Sequence, residues 1–129
     1  MNEDSKIWLK FSEENLNAAK ILSKSKLFNP CLQNIQQCIE KSLKAIFFDR
    51  KIPLIKTHSI LELQHILIEN GVTIHLTEEE CEFFDSIYLP SKYPIGSALP
   101  EFEPDSQITN QAISITERVL NDIISLIDH

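Results

Sequence analysis

The twenty residues from Pro30 to Asp49 constrain the fold of this chain more than any other part of it. Projected at 100° per residue, Leu32, Ile35, Cys38, Ile39, Leu43, Ala45 and Ile46 share one broad face. Gln33, Gln36, Gln37, Glu40, Lys41 and Lys44 fall on the other. Such a period predicts an amphipathic helix. Asn29-Pro30 supplies its start: asparagine caps, and proline fits the first turn, where its missing N–H costs nothing.

The same period recurs on either side. From about Ser5 to Lys24, Trp8, Phe11, Ala18 and Leu22 form a stripe interrupted by Asn15. Arg50 to Lys56 is a basic connector broken by Pro53. Thr57 is then expected to cap a third helix that runs to Glu69 and stops at Asn70-Gly71, a left-handed ending. Thr77-Glu78-Glu79-Glu80 reads as a capping box, so a fourth helix starts there and ends near Pro90. Its acidic first turn suits the helix dipole. Between Pro90 and Asp105, four prolines and Gly96 predict a long loop without regular structure.

A last helix opens at Asp105 or Ser106 and runs to about Ile127. It carries two apolar stripes: Ile108, Ala112, Ile115, Val119 and Leu126, then Ile113, Leu120, Ile124 and Ile127. So wide a face exceeds what one contact needs. Either the helix sits between two neighbours or its second stripe meets another subunit. The expectation is one all-α domain over residues 1–129, an up-down bundle of four to five helices with a long Pro-rich loop before the last.

Composition narrows the function classes. Only two glycines occur, and no apolar run approaches the roughly 18 residues that a membrane span needs. The acidic start, Met1-Asn2-Glu3-Asp4, lacks the basic residues and apolar stretch of a signal peptide. Cys31, Cys38 and Cys81 are odd in number and without zinc spacing. Cys31 and Cys38 lie about 10 Å apart along a helix, too far for a disulfide. Reduced thiols in a cytoplasmic protein are expected. The net charge of -7 conceals an asymmetry: residues 1–60 hold ten Lys/Arg and six Asp/Glu, residues 61–129 two and thirteen. The acidic total disfavours general nucleic-acid binding, which rests on phosphate neutralisation.

Four pieces in order resemble the HEPN family of small helical bundles. Trp8 begins the first helix, with Asn15-Leu16 and Ala18-Ala19 following. Gln36-Gln37-Cys38-Ile39-Glu40-Lys41-Ser42-Leu43-Lys44-Ala45 is similar to the family's second-helix string. Lys56-Thr57-His58 matches its KTH segment, and Tyr88 with Ser91-Lys92-Tyr93-Pro94 its Y…RYP segment, with lysine at 92 where the family usually has arginine. The resemblance implies a homodimer that pairs with a minimal nucleotidyltransferase, or binds a nucleotide, in a toxin–antitoxin-like system.

Many family members are metal-independent ribonucleases with an arginine followed, after four to six residues, by a histidine. This chain departs from that spacing. Arg50 is separated from His58 by seven residues, and Arg118 from His129 by ten. The ribonuclease reading therefore survives only as an irregular Arg50/His58 pair, and a non-catalytic binding module leads.

The candidate binding residues are Gln37, Lys41, Lys44, His58, Lys92 and Tyr93. Lys41, Lys44 and Gln37 form a donor-rich strip able to hold phosphate, although any solvated helix face looks similar and Glu40 can pair with Lys44. His58, just after the expected cap Thr57, would be a neutral histidine in a first turn. Lys92 and Tyr93 offer a phosphate contact and a stacking ring, or simply pack the loop. His65 and His75 lack companions at metal spacing, Glu62 excepted, so neither metal nor cofactor is expected. The run Glu78 to Glu82 reads as surface charge.

Overall fold

In the computed structural model the described residues are 2–92 and 103–127, with side chains described for 2–87 and 103–127. Five helices and no strand occur among them: α1 Glu3–Lys24, α2 Phe28–Arg50, α3 Ile60–Glu69, α4 Glu78–Lys92 and α5 Ser106–Ile127. The expected Pro-rich loop falls largely outside the described residues. No helix among the described residues is long and apolar enough to cross a membrane.

α1 and α2 form an antiparallel hairpin. The Asn2 side chain donates to the Phe48 carbonyl at 2.7 Å, Ser5 Oγ to the Ala45 carbonyl at 2.9 Å, and Asn15 Nδ2 to Asn34 Oδ1 at 2.9 Å. The residues of α1 that face inward are Ser5, Leu9, Ser12, Leu16 and Ala19, all buried at spacings of four and three. On α2, Cys31, Ile35, Cys38, Ser42 and Ala45 repeat that spacing and are buried too. Small side chains on both strips let the helix axes approach closely. Their hydroxyls cost little, because Ser12 donates to the Leu9 carbonyl and Ser42 to that of Ile39.

This corrects the sequence stripe. Trp8 and Ala18 are half-buried and Phe11 is exposed, so the stripe beginning at Trp8 flanks the seam instead of forming it. Serines that read as polar are the packing residues.

α2 is the axis of the molecule. It packs against α1, α3, α4 and α5, whereas α1 also meets α5, and α3 also meets α4. α5 runs in the same direction as α2: Arg50 reaches the Leu126 carbonyl at one end, and Phe28 and Pro104 line one hollow at the other. Being surrounded, α2 buries residues from its supposedly solvated face, namely Gln36, Glu40 and Lys44. Among the described residues, α1 does not approach α3 closely, nor α4 approach α5. Two seams beside α2 are therefore left for other groups to fill.

Helix starts differ from expectation at two places. α2 begins at Phe28, after Leu27, which offers no side-chain cap, so Asn29 and Pro30 lie inside the first turn. α3 begins at Ile60, and its cap is Ser59, whose Oγ accepts from the Glu62 N–H at 3.1 Å. Thr57 lies outside the helix, accepting from the Ser59 N–H and donating to Glu62. Asp85 of α4 explains the later start, because it accepts from Ser59 Oγ at 2.8 Å and from the Ile60 N–H at 2.6 Å. It thereby satisfies donors that a helix start leaves open.

Other boundaries agree with the sequence. Thr77 Oγ1 accepts from the Glu80 N–H, and Glu80 accepts from the Thr77 N–H, the reciprocal box expected at α4. Asp105 caps α5 through the Ile108 N–H. Gly71, at φ +78°, ends the α3 hairpin turn with the Val72 N–H returned to the Leu67 carbonyl. α4 ends at Lys92, two residues beyond Pro90.

Candidate functional site

The seam between α1 and α3 holds a polar cluster built on Glu40. Its carboxylate is almost fully buried on α2, and burying an unpaired charge is costly. Three donors converge on it. Lys44 Nζ lies 2.8 Å from Oε2, one turn along the same helix. Gln36 Nε2 lies 3.1 Å from Oε1, one turn the other way. His58 Nδ1, from the connector, lies 3.3 and 3.2 Å from the two oxygens.

An ionised carboxylate only accepts, so Nδ1 is the protonated ring nitrogen of His58. Gln36 also donates to the His58 carbonyl at 3.4 Å, which fixes the connector at that point, and Gln37 Nε2 donates to Gln36 Oε1 at 2.8 Å. Lys44 Nζ stands 5.6 Å from the centroid of the Trp8 ring, whose face is stacked with Phe48 at 6.0 Å. Among the described residues, every buried side-chain polar atom has a hydrogen-bond partner.

Lys41 belongs to a neighbouring set. Its Nζ donates to Asn15 Oδ1 at 2.8 Å and lies 5.9 Å from the Phe11 ring centroid. The aromatic stripe of α1 thus receives the two lysines of α2, one ring to each. A helical projection of the sequence puts both lysines in open solvent; the structure seats Lys44 in a buried ion pair and leaves Lys41 half-buried.

His58 itself is about half exposed and borders a shallow cleft of about 340 Å³ with Lys44, Leu54, Ile55, Lys56 and Thr57. It precedes the cap Ser59 and so lies outside the first turn of α3, contrary to the sequence reading. The structure therefore brings together Gln37, Lys44 and His58 through Gln36 and Glu40, and sets Lys41 beside them on Asn15. Lys92 is the last residue of α4 with its side chain outside the description, and Tyr93 lies outside the described residues. The other contributors, Glu40, Gln36, Lys56 and the apolar wall of Leu54 and Ile55, were not among the sequence candidates. The signal for Glu40 was present in the spacing of Gln36, Glu40 and Lys44, each one turn from the next.

Arg50 faces elsewhere. Its guanidinium meets Asp49 at 3.3 Å and the Leu126 carbonyl at 3.3 Å. Glu40, which holds His58, lies roughly 15 Å of helical rise back along α2. The other two histidines among the described residues sit on single carboxylates, His65 on Glu78 at 3.2 Å and His75 on Asp122 at 3.4 Å. No group of three or more His, Cys, Asp or Glu able to hold a metal ion occurs among the described residues.

The three cysteines are free and buried. Burial pushes the thiols of Cys38 and Cys81 up to about 12. Nearby Asp85, Glu80, Glu78 and Glu82 add to the effect on Cys81, whereas Lys41 opposes it on Cys38. These are packing residues without nucleophilic character.

Known proteins share this arrangement of helices. The family described as HEPN domain matches residues 5–126. This chain belongs to the HEPN domain family. The crystal structure of ST0689, an archaeal HEPN homologue, superposes on it with a TM-score of 0.72 at 24% identity, over 98% of this chain and 99% of that one. TT1696 from Thermus thermophilus gives a TM-score of 0.75 at 21% identity, over 96% and 98%. Among curated proteins, no relative matches. At such identities the neighbours establish the HEPN fold alone, and the function of this HEPN chain has to be argued from its own cleft.

Proposed function

We propose that this HEPN domain is a non-catalytic binding module whose cleft beside His58 receives a phosphate-bearing ligand such as a nucleotide. The observation that carries the proposal is the anchoring of Lys44 and His58 on one buried carboxylate, with Lys56 exposed at the rim and Leu54 and Ile55 as an apolar wall. Such a cleft offers N–H donors and a cation to an anionic group, and carbon surface to the body of a nucleotide. The donors are held in place before any ligand arrives, which lowers the entropy cost of binding.

The same geometry counts against the irregular Arg50/His58 pair. In an Arg50/His58 ribonuclease site the arginine would have to steady the phosphate beside the histidine. Arg50 is directed to Asp49 and Leu126 instead. The family likeness extends the proposal to partners: a homodimer that pairs with a nucleotidyltransferase-type protein in the cytoplasm, as in a toxin–antitoxin-like system.

Thermal unfolding with ADP, ATP and inorganic phosphate tests the ligand. A nucleotide at a hundred times its Kd stabilises the fold by about 2.7 kcal/mol, and Lys56→Ala removes most of the gain. Co-purification with a co-expressed nucleotidyltransferase tests the partner. Cleavage of RNA without divalent metal, lost in His58→Ala, would overturn the reading.

A further inference from the structure

Among the described residues, the second seam of the molecule, between α4 and α5, is closed at one end and open at the other. Arg118 of α5 bridges to Glu80 of α4 at 2.7 Å, and Asp122 accepts from the His75 N–H at 2.9 Å. Those contacts tie the lower part of α5 to the base of α4. One to three turns nearer the start of α5, the two helices leave a groove of about 340 Å³. Phe83, Ile108, Ala112 and Ile115 floor it, with Glu79 and Gln111 exposed at its edge. Ile108 and Ile115 are half-buried members of the wide apolar face of α5, whose inward strip is Thr109, Ala112, Thr116, Val119 and Ile123. Among the described residues α5 packs on α1 and α2, and Ile108 and Ile115 lie at the margin of that contact, against the edge of the core.

We infer that this groove docks a basic amphipathic segment of a protein partner, with one or two large apolar side chains seated on Phe83, Ile108 and Ile115 and Lys or Arg set against the α4 carboxylates. Charge decides the occupant. The groove sits in the half of the chain that holds thirteen Asp/Glu and two Lys/Arg, and Glu79 stands exposed on its α4 wall beside Glu80, which pairs with Arg118. A second copy meeting this face symmetrically would set α4 carboxylates against α4 carboxylates, which is repulsive. A second copy offering its basic half instead would make a head-to-tail contact, which closes only where the rotation completes a ring. A different, cationic partner satisfies both the apolar floor and the acidic rim. The groove lies across α2 from the His58 cleft, so this inference stands or falls separately from the ligand proposal.

The test uses the full chain and a fluorescein-labelled synthetic Lys/Leu peptide patterned as an amphipathic helix. A scrambled peptide of identical composition and a Glu/Leu peptide are the controls. The Lys/Leu peptide should bind about tenfold or more tightly than either control. Its amide shift changes should centre on Phe83, Ile108, Gln111 and Ile115. Ile115→Lys should weaken it by about tenfold, and so should Gln111→Lys, which alters an exposed rim residue without touching the core. Equal binding of the scrambled peptide, shift changes centred elsewhere, or a homodimer dispersed by Gln111→Lys would each overturn the inference.

Discussion

His58 and Glu40, eighteen positions apart in sequence, are joined by the ring Nδ1 at 3.2 Å from a carboxylate that α2 keeps almost wholly from solvent. Lys44 completes the charge balance from one turn away. The connector between α2 and α3 is thus tied to the axis of the HEPN bundle by an ionic and polar cluster, and the candidate cleft takes its shape from that tie.

Removing one partner of a buried ion pair costs more than the pair contributes, because the other charge is stranded. Glu40→Ala is therefore expected to destabilise the protein by about 3–5 kcal/mol, leaving Lys44 over the Trp8 ring without a counter-ion. A double variant, Glu40→Leu with Lys44→Met, should recover much of the loss. Urea unfolding midpoints of the two variants measure the difference.

The α1–α2 seam makes a prediction opposite to the one the sequence stripe suggests. Ser12 is fully buried between the two helices, whereas Phe11 is exposed over Lys41. Ser12→Leu should overpack the seam and cost about 1–3 kcal/mol, although it increases apolarity. Phe11→Ala should cost roughly 1 kcal/mol or less, the scale of an exposed cation–π contact. Thermal unfolding of both variants separates seam from flank.

Asp85 holds the start of α3 by accepting from Ser59 Oγ and the Ile60 and Leu61 N–H groups. Asp85→Ala leaves three donors to find water and should destabilise by about 1–3 kcal/mol. Amide exchange would show it first at Ile60 and Leu61, with His58 beside them.

The buried thiols predict a pH dependence. Folding raises Cys38 and Cys81 from 9.0 to about 12, so the folded chain keeps protons that the unfolded chain releases. Their contribution is fully present below about pH 9 and is lost as pH rises toward 12. Unfolding midpoints should fall over that window, and less steeply in Cys38→Ala. With the thiol reagent DTNB at pH 8, the native protein should react slowly and the urea-unfolded protein at once.

How much of this was legible beforehand follows from which forces local sequence records. Helix existence was legible, because the 3.6-residue period and the Thr77 and Asp105 caps are local features. The α1 seam was not, because Ser5 and Ser12 return their hydroxyls to backbone carbonyls and pack as small residues, a role that a polarity pattern reads as solvent. Nor was the start of α3, which Asp85 sets from 25 positions away through the Ile60 N–H. For the cleft, the sequence points to Lys44 and His58, but the residue that unites them, Glu40, reads as surface charge until the helices packed around α2 and the connector are seen to bury it.

The most direct measurement is a two-dimensional amide NMR titration of the protein with ADP. The account predicts saturable shift changes concentrated at Lys44 and residues 54–58, abolished together in a Lys56→Ala, His58→Ala double variant that still folds. Absence of shifts at those positions with nucleotide in large excess, or their appearance unchanged in the double variant, would contradict it.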